Sequence, residues 1–429
     1  MTDETDAIAA FADNSNASPF LFDPTHPDTI RDPYAVFAAM RALDPVMWQD
    51  AGYWIATRYD DVRAVIMDRV NFGQGDFIAN IQLYYGPDFN VLSHASYRWL
   101  SEVFVYQDPP RHTRIRGLVT QALTATRVRA MRPSIQAITD RLIDRYQAVG
   151  QMELIHDFAY RLPTQVMCDM LGIGTDEADD ALLDRLNQAI ADTFLVFEMR
   201  ALKPAELDLA DSQMSFLEDF FNAVFDRRRA APRDDLATAL INARDGDSQL
   251  TAREIVTVAI GLFGAGFETT AHMIGNAVLC FSRHPDEWRK LVADPSLALQ
   301  ATEEVLRFEP SLLATYRTAF NDVEVGGKTI RAGQRILTLL SAGNRDPAMF
   351  DNPDRFDITR DGRKHLSFGG GIHFCVGAEL ARLEGEIALS TLARRLPDLR
   401  VSTMSDPQWR EGFVFRGLAR LDVVWQAGA

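Results

Sequence analysis

Four groups of residues in this chain of 429 have types and spacings that could do chemistry. Cys375 follows three consecutive glycines, Gly369 to Gly371, and precedes a helical pattern of Ala378, Leu380, Ala381 and Leu383, so its sulfur falls where loop becomes helix. Unpaired backbone N–H groups and a helix dipole favour thiolate there, and a thiolate is either a nucleophile or a metal ligand. His365 and His373 precede it, and either could serve as its base in acyl transfer. The glycines, lacking Cβ, let a flat or bulky group approach the backbone. Glu268 and Thr269 form an acid–alcohol pair just after Gly261, Gly264 and Gly266, within an otherwise apolar stretch where water or a small molecule could bind. His112 and Arg116, four residues apart, share a helix face and could hold an anion. Glu304 and Arg307 are i, i+3 neighbours, a pairing worth little if it lies at the surface.

Each group needs an element to hold it. Thr251 to Arg283 is the longest predicted helix, opened by a capping box of Thr251 and Glu254, closed by His284-Pro285 and roughly 50 Å long. It is apolar on nearly all sides, hence central and buried. Its three glycines each cost up to about 1 kcal/mol relative to alanine, which predicts a helix locally opened beside Glu268. Asp108-Pro109-Pro110 starts the helix that carries His112, and Pro295 to Phe308 carries Glu304 and Arg307. Further helices are expected over Arg31 to Arg41, after a cap at Asp60 or Asp61, and over Ser134 to Tyr146, Leu162 to Leu171, Asp176 to Phe197 and Asp211 to Arg229. Val46 to Trp48, Tyr53 to Thr57, Val323 to Val325, Arg335 to Leu340, Phe413 to Phe415 and Leu421 to Val424 are strand-like. Asn71 to Arg98 shows no period and reads as an apolar loop, a candidate ligand lid.

Composition removes several functions. Sixty acidic residues against 44 basic give a net charge of -16, so nucleic acid is not expected as a partner. Cys168, Cys280 and Cys375 are odd in number and widely spaced, which argues against a disulfide framework or a Cys-rich zinc site. No apolar run reaches the roughly 18 to 20 residues of a bilayer span, and residues 1–16 are polar rather than signal-like. A cytoplasmic monomer without membrane contact is expected. Without linkers or repeats, the chain reads as an irregular segment, 1–30, and one domain, 31–429.

Taken in order, four motifs resemble those of the cytochrome P450 family in its soluble bacterial form. Asp108-Pro-Pro-Arg-His112-Thr-Arg114 is similar to the helix start that contacts the haem propionates, and Ala265-Gly-Phe-Glu268-Thr269 to the oxygen-binding segment. Glu304-Val-Leu-Arg307 resembles the family's Glu-Xaa-Xaa-Arg pair, with Arg355 in the place of its third member. Phe368-Gly-Gly-Gly-Ile-His-Phe-Cys375-Val-Gly377 resembles the haem-ligand signature, and the likeness runs from about Asp32 to the end.

The resemblance implies a mainly α fold with small β-sheets, haem b between the long central helix and the cysteine loop, and O2 as co-substrate. Cys375 is then the iron ligand, with Ala265, Phe368, Gly369 and Gly377 against the haem, and His112, Arg116, Arg317 and His373 on its propionates. Glu304, Arg307 and Arg355 become a buried cluster holding the cysteine loop. Thr269 holds a proton-donating hydrogen bond near dioxygen, and Glu268 relays protons to it. Substrate-wall candidates are Ile78, Ile81, Leu83, Tyr85, Ile260, Leu262, Ala265, Leu313, Ala314, Val414 and Phe415, implying a largely apolar small organic substrate, free or tethered to a carrier protein. The chain has no flavin or dinucleotide fingerprint, so a ferredoxin or flavodoxin with its reductase is implied. Arg111, Arg114, Arg127, Arg129, Arg132, Arg363 and Lys364 could form its docking face. Nitric oxide reductase, oxidative cyclase and haem-binding sensor are the alternatives on the same scaffold.

Overall fold

Thr251 N–H donates to Glu254 Oε2 at 2.9 Å and Glu254 N–H returns a bond to Thr251 Oγ1 at 3.2 Å, the reciprocal cap that the sequence predicts. From this cap one helix, Ala252–Arg283, runs unbroken for 32 residues in the computed structural model, which describes residues 21–174, 179–361, 364–402 and 407–427. The expected local opening is absent. The glycines serve packing instead: a Cβ at Gly264 would collide with the Phe194 ring, and one at Gly266 would sit 2.8 Å from Met167 Sδ. By length and composition this helix could cross a membrane, contrary to the expectation that no run is long enough; 78% of its most apolar window is buried within the protein. It packs on Arg161–Leu171, Pro204–Ala230, Ala298–Phe308 and the cysteine helix Ala378–Arg395.

Five strands form the main sheet: β1 (Val46–Gln49), β2 (Tyr53–Ala56), β3 (Phe72–Gly73), β4 (Thr315–Ala319) and β5 (Arg335–Thr338), in the order β1-β2-β5-β4-β3. β5 runs parallel to β2 and antiparallel to β4, with Ile336 opposite Arg317 and Arg335 opposite Thr318. Residues opposite one another share a face, so Arg317 and Arg335 leave the sheet on opposite sides.

The supposed loop from Asn71 to Arg98 is largely helical. Asp76 accepts from the N–H groups of Ile78 and Ala79 and opens helix Phe77–Tyr85; a second helix covers Ala95–Glu102. Within the segment expected to be irregular, Pro27–Arg31 is a short helix, while residues 1–20 lie outside the described ones. Helix Tyr59–Met67 starts after Arg58 without a side-chain cap, so Asp60 and Asp61 sit in its first turn. Residues 176–178 of the expected Asp176 helix are also outside the described residues; Asp180–Thr193 is helical, capped by Asp179. Helix Pro204–Ala230 begins seven residues before Asp211, because Pro204 fits its first turn and Glu206 folds back on the Lys203 N–H. Phe413 to Phe415 is not a strand and contributes only a bridge between Phe415 and Leu312.

Candidate active site

Cys375 lies three residues before the cysteine helix, after a short 3-10 turn, Gly371–His373, that needs left-handed backbone at Gly369 and Gly371 (φ 67° and 61°). Its N–H donates to Phe368 O at 2.9 Å, closing the loop around the sulfur. Cys375 is exposed at the surface, yet the protein around its sulfur pushes the pKa up by desolvation, despite a hydrogen bond from the Gly377 N–H and the positive charges of Arg116 and Arg382. Helix position alone therefore does not make it a thiolate; a positive ligand such as a metal ion would have to. The nucleophile reading also loses its base. His365 Nε2 is 3.0 Å from Glu303 Oε2, and neither ring nitrogen of His373 has a hydrogen-bond partner.

Around the sulfur stand basic side chains with no carboxylate bonded to them. The rings of His112 and His373 are 4.4 Å apart, and all four of their nitrogens lack partners. Burial lowers both pKa values, aided by Arg116 and Arg317, and holds His373 down to about 2. Arg116 Nη2 donates to Phe374 O at 2.5 Å, and the buried Arg317 donates from Nη1 to its neighbour's carbonyl, Tyr316 O, at 2.7 Å. Asp108 is nearby, but its oxygens accept from the N–H groups of Gln74 and Gly75 at 2.9–3.1 Å. Two guanidinium groups and two imidazoles left short of negative charge fit a dianion such as a pair of propionates.

The cluster behind the loop is the opposite case. Arg307 donates to both oxygens of Glu304 at 2.8 Å, with both side chains fully buried, and also to the carbonyls of Asn344, Pro353 and Arg355. Asp357 N–H donates to Glu304 Oε1 at 2.9 Å. Arg355 offers only its carbonyl here, since its side chain points to Asp357 and is largely exposed; Arg360, 3.4 Å from Glu304 Oε1, takes the position expected of it. A second paired cluster, absent from the motif reading, joins Glu303 to His365 and to Arg382 of the cysteine helix. Arg382 lies over the Phe368 ring at 4.6 Å.

Glu268 and Thr269, adjacent in sequence, part company in space. The Thr269 hydroxyl donates to Ala265 O at 2.7 Å on a face where Ala265 itself is exposed, an open strip on an otherwise buried helix. Glu268 is buried and bonded to Arg410 Nη1 at 2.5 Å, with His272 Nε2 at 3.4 Å, while its Oε2 has no partner. Burial raises its pKa, but Arg410 and His272 outweigh it and the net shift is downward, so it is a carboxylate. Arg410 also donates to the Tyr160 hydroxyl at 2.7 Å. Neither Arg410, Tyr160 nor His272 belongs to a motif.

Most of the wall candidates are buried side chains. Ile260, Leu262, Ile81, Leu313, Ala314 and Val414 are core residues; Leu313 and Ala314 pack with Phe37 and Met47. Ile78 and Leu83 are exposed, and Tyr85 stacks on Phe89 at 3.9 Å with its hydroxyl bonded to Tyr97. Phe415 and Ala265 keep open surface, Phe415 packing against Phe194 and Phe197.

Comparison with known proteins gives the same picture. The family model described as Cytochrome P450 matches residues 76–302 and 296–405. The chain is 35% identical over 400 residues to 6-deoxyerythronolide B hydroxylase of Saccharopolyspora erythraea, covering 91% of this chain and 96% of the relative. It is 37% identical over 380 residues to Mycinamicin IV hydroxylase/epoxidase of Micromonospora griseorubida, covering 87% and 89%. The crystal structure of P450BioI in complex with hexadec-9Z-enoic acid ligated Acyl Carrier Protein superposes with a TM-score of 0.83 at 31% identity, covering 93% of this chain and 99% of that one.

Proposed function

Because this chain belongs to the cytochrome P450 family, whose reaction is monooxygenation with haem b and O2, we propose that it hydroxylates or epoxidises a largely apolar organic molecule, with Cys375 as the iron ligand. The observation that carries this reading is the grouping beside Cys375 of two imidazoles without hydrogen-bond partners, His112 and His373, and two guanidinium groups, Arg116 and Arg317, that meet only backbone carbonyls. They hold the propionates, and Phe368 and the glycines of the loop admit the ring. Haem supplies the binding and reductive activation of O2. The Gly377 N–H and the nearby guanidinium charges steady the thiolate. Thr269, on the open strip, gives up its bond to Ala265 to hold a proton beside the oxygen, and Glu268 resupplies it when it swings away from Arg410. Phe415 and Ala265 face the substrate.

Exchange of Cys375 for serine tests the assignment: the purified variant is expected to lose its colour and its carbon monoxide spectrum, and retention of both rejects it. Thr269→Ala is expected to divert reducing equivalents into peroxide while leaving substrate binding intact.

Electrons come from a separate redox partner, a ferredoxin or flavodoxin. The docking face is smaller than the sequence suggests, because Arg114, Arg127 and Arg132 are paired with Glu254, Asp234 and Glu386; Arg363 lies outside the described residues. Arg111, Arg129 and Lys364 are exposed. A reduction rate that falls with added salt, and falls further on charge reversal at Arg111 and Arg129, is the expected outcome. The likeness to a carrier-bound relative supports a tethered substrate as one mode of delivery, the free molecule being the other.

A further inference from the structure

Six arginines are buried among the described residues: Arg228, Arg307, Arg317, Arg335, Arg345 and Arg416. Four face a carboxylate, respectively Asp235, Glu304, Asp354 and Glu309 for Arg228, Arg307, Arg345 and Arg416. Arg317 is assigned above to a propionate. Arg335 is left without a counter-charge.

It is 5% exposed, its Nε has no hydrogen-bond partner, and Nη1 makes one long contact, 3.4 Å, to Asn80 O. Around it stand phenols. Its guanidinium carbon is 4.2 Å from the Tyr316 ring centroid and 5.6 Å from that of Tyr84, and the Tyr106 ring is 6.0 Å from Tyr316. Burial raises the pKa of both Tyr106 and Tyr316, so their hydroxyls stay protonated and can donate. Arg335 thus meets only neutral acceptors, the Tyr84 hydroxyl and Asn80 O, and its Nε meets none; a buried cation with no carboxylate opposite it is complementary to an anion that the protein itself does not provide.

The position matters as much as the charge. Arg335 leaves the sheet on the face opposite Arg317, although both arginines act electrostatically on Tyr106 and Tyr316. From Tyr316 a line of rings continues through Tyr106 to Phe197 at 5.8 Å and on to Phe415 at 5.6 Å, the residue placed above in the substrate wall. An apolar body lying along these rings would reach from Arg335 toward the reaction centre.

We propose that Arg335, with the hydroxyls of Tyr84, Tyr106 and Tyr316, binds the carboxylate of an amphiphilic substrate, which therefore enters as a free acid rather than as a carrier thioester. This deepens the monooxygenase reading and depends on it for the place of the reaction, not for the binding of the acid.

The test is titration of the purified haem-loaded protein, by absorbance and by calorimetry, with dodecanoate and hexadecanoate and with their methyl esters, whose plain chains isolate the head group. The acids are expected to bind about tenfold more tightly than the esters, as loss of a charge-assisted hydrogen-bonded pair implies. In Arg335→Gln that preference should fall below about twofold with ester affinity unchanged; Tyr84→Phe, which keeps the charge, should lower it by a smaller factor. Equal binding of acid and ester by the unaltered protein, no binding of either acid, or a preference that survives Arg335→Gln each overturns the proposal. Loss of haem from Arg335→Gln also overturns it, by assigning the arginine to a propionate. Should that variant not fold, the acid-to-ester ratio of the unaltered protein and the effect of Tyr84→Phe decide. A carbon monoxide spectrum of thiolate-bound haem, together with ester binding, leaves the monooxygenase reading standing in every such case.

Discussion

Two neighbourhoods of buried charge hold the cysteine loop between them, and they differ in one respect. Behind the loop, Glu304 and Arg307 satisfy each other and gather the carbonyls of Asn344, Pro353 and Arg355; in front of it, His112, His373 and Arg317 carry donors that no acidic side chain answers. Burying charge is costly in both places, so the paired set recovers its cost within the protein and the unpaired set recovers it from a ligand. Counting partners thus separates scaffold from site where burial alone cannot.

The largest effect is expected behind the loop. Arg307→Met leaves the Glu304 carboxylate buried without its cation, and breaking such a pair costs roughly 3–5 kcal/mol, a large part of a typical domain's stability. Soluble yield and urea unfolding should both collapse. A variant as stable as the unaltered protein would erase the distinction between the two neighbourhoods.

The second paired cluster gives the comparison a pH axis. Burial raises the Glu303 carboxyl, but hydrogen bonds from His365 and Arg382 outweigh it and hold its pKa down to about 2 against an ordinary 4.5. A carboxyl depressed on folding contributes stability that is whole above pH 4.5 and is lost as the pH falls from there toward 2, on the order of 3 kcal/mol. Urea titrations of the unaltered protein and of Glu303→Gln should therefore differ most near neutrality and converge as the medium is acidified through that window. A gap that widens in acid would reverse the sign.

In front of the loop the same kind of substitution should act on the ligand rather than the fold. Arg317→Met removes a guanidinium that has no carboxylate to strand, so the urea midpoint should stay close to that of the unaltered protein. Haem transfer to an excess of a competing apoprotein should instead quicken by about tenfold, the worth of one hydrogen bond to a charged group. If Arg317→Met unfolds as readily as Arg307→Met, the unpaired donors are scaffold after all.

What could be read from sequence divides along the same line. Cys375, the Glu304–Arg307 pair, His112 with Arg116, and the capping box are each legible because their members lie on one element at a fixed spacing. The partners of Glu268 are not: Arg410 arrives from 142 residues away, and nothing in its own segment marks it. Arg355 and Arg360 are two basic residues in an aperiodic loop, and only the path of the chain decides that Arg360 meets Glu304. Helix Phe77–Tyr85 escaped because its apolar residues are not confined to one face, although Asp76 was an available cap signal. The wall residues are not told apart from the core by sequence for a related reason. Apolar periodicity finds the buried face of a helix, and Ile260, wholly buried, lies on such a face just as a cavity-lining residue would.

The smallest effect expected belongs to a paired polar group far from any ligand. Thr251 and Glu254 exchange two hydrogen bonds at the start of the central helix, so Thr251→Ala should cost about 1 kcal/mol, the usual worth of an N-cap. Glu254 also pairs with Arg114, at the other end of whose helix turn stands His112, so a loosened cap has a physical route toward the haem side. That route is weak, because the Arg114–Glu254 pair is partly exposed and Glu254 keeps it when Thr251 is truncated. A melting temperature lowered by a few degrees, with unchanged haem transfer and unchanged acid binding, is the expected result. A change in haem transfer would mean that the scaffold and the site are coupled through this helix start rather than separable by their partners.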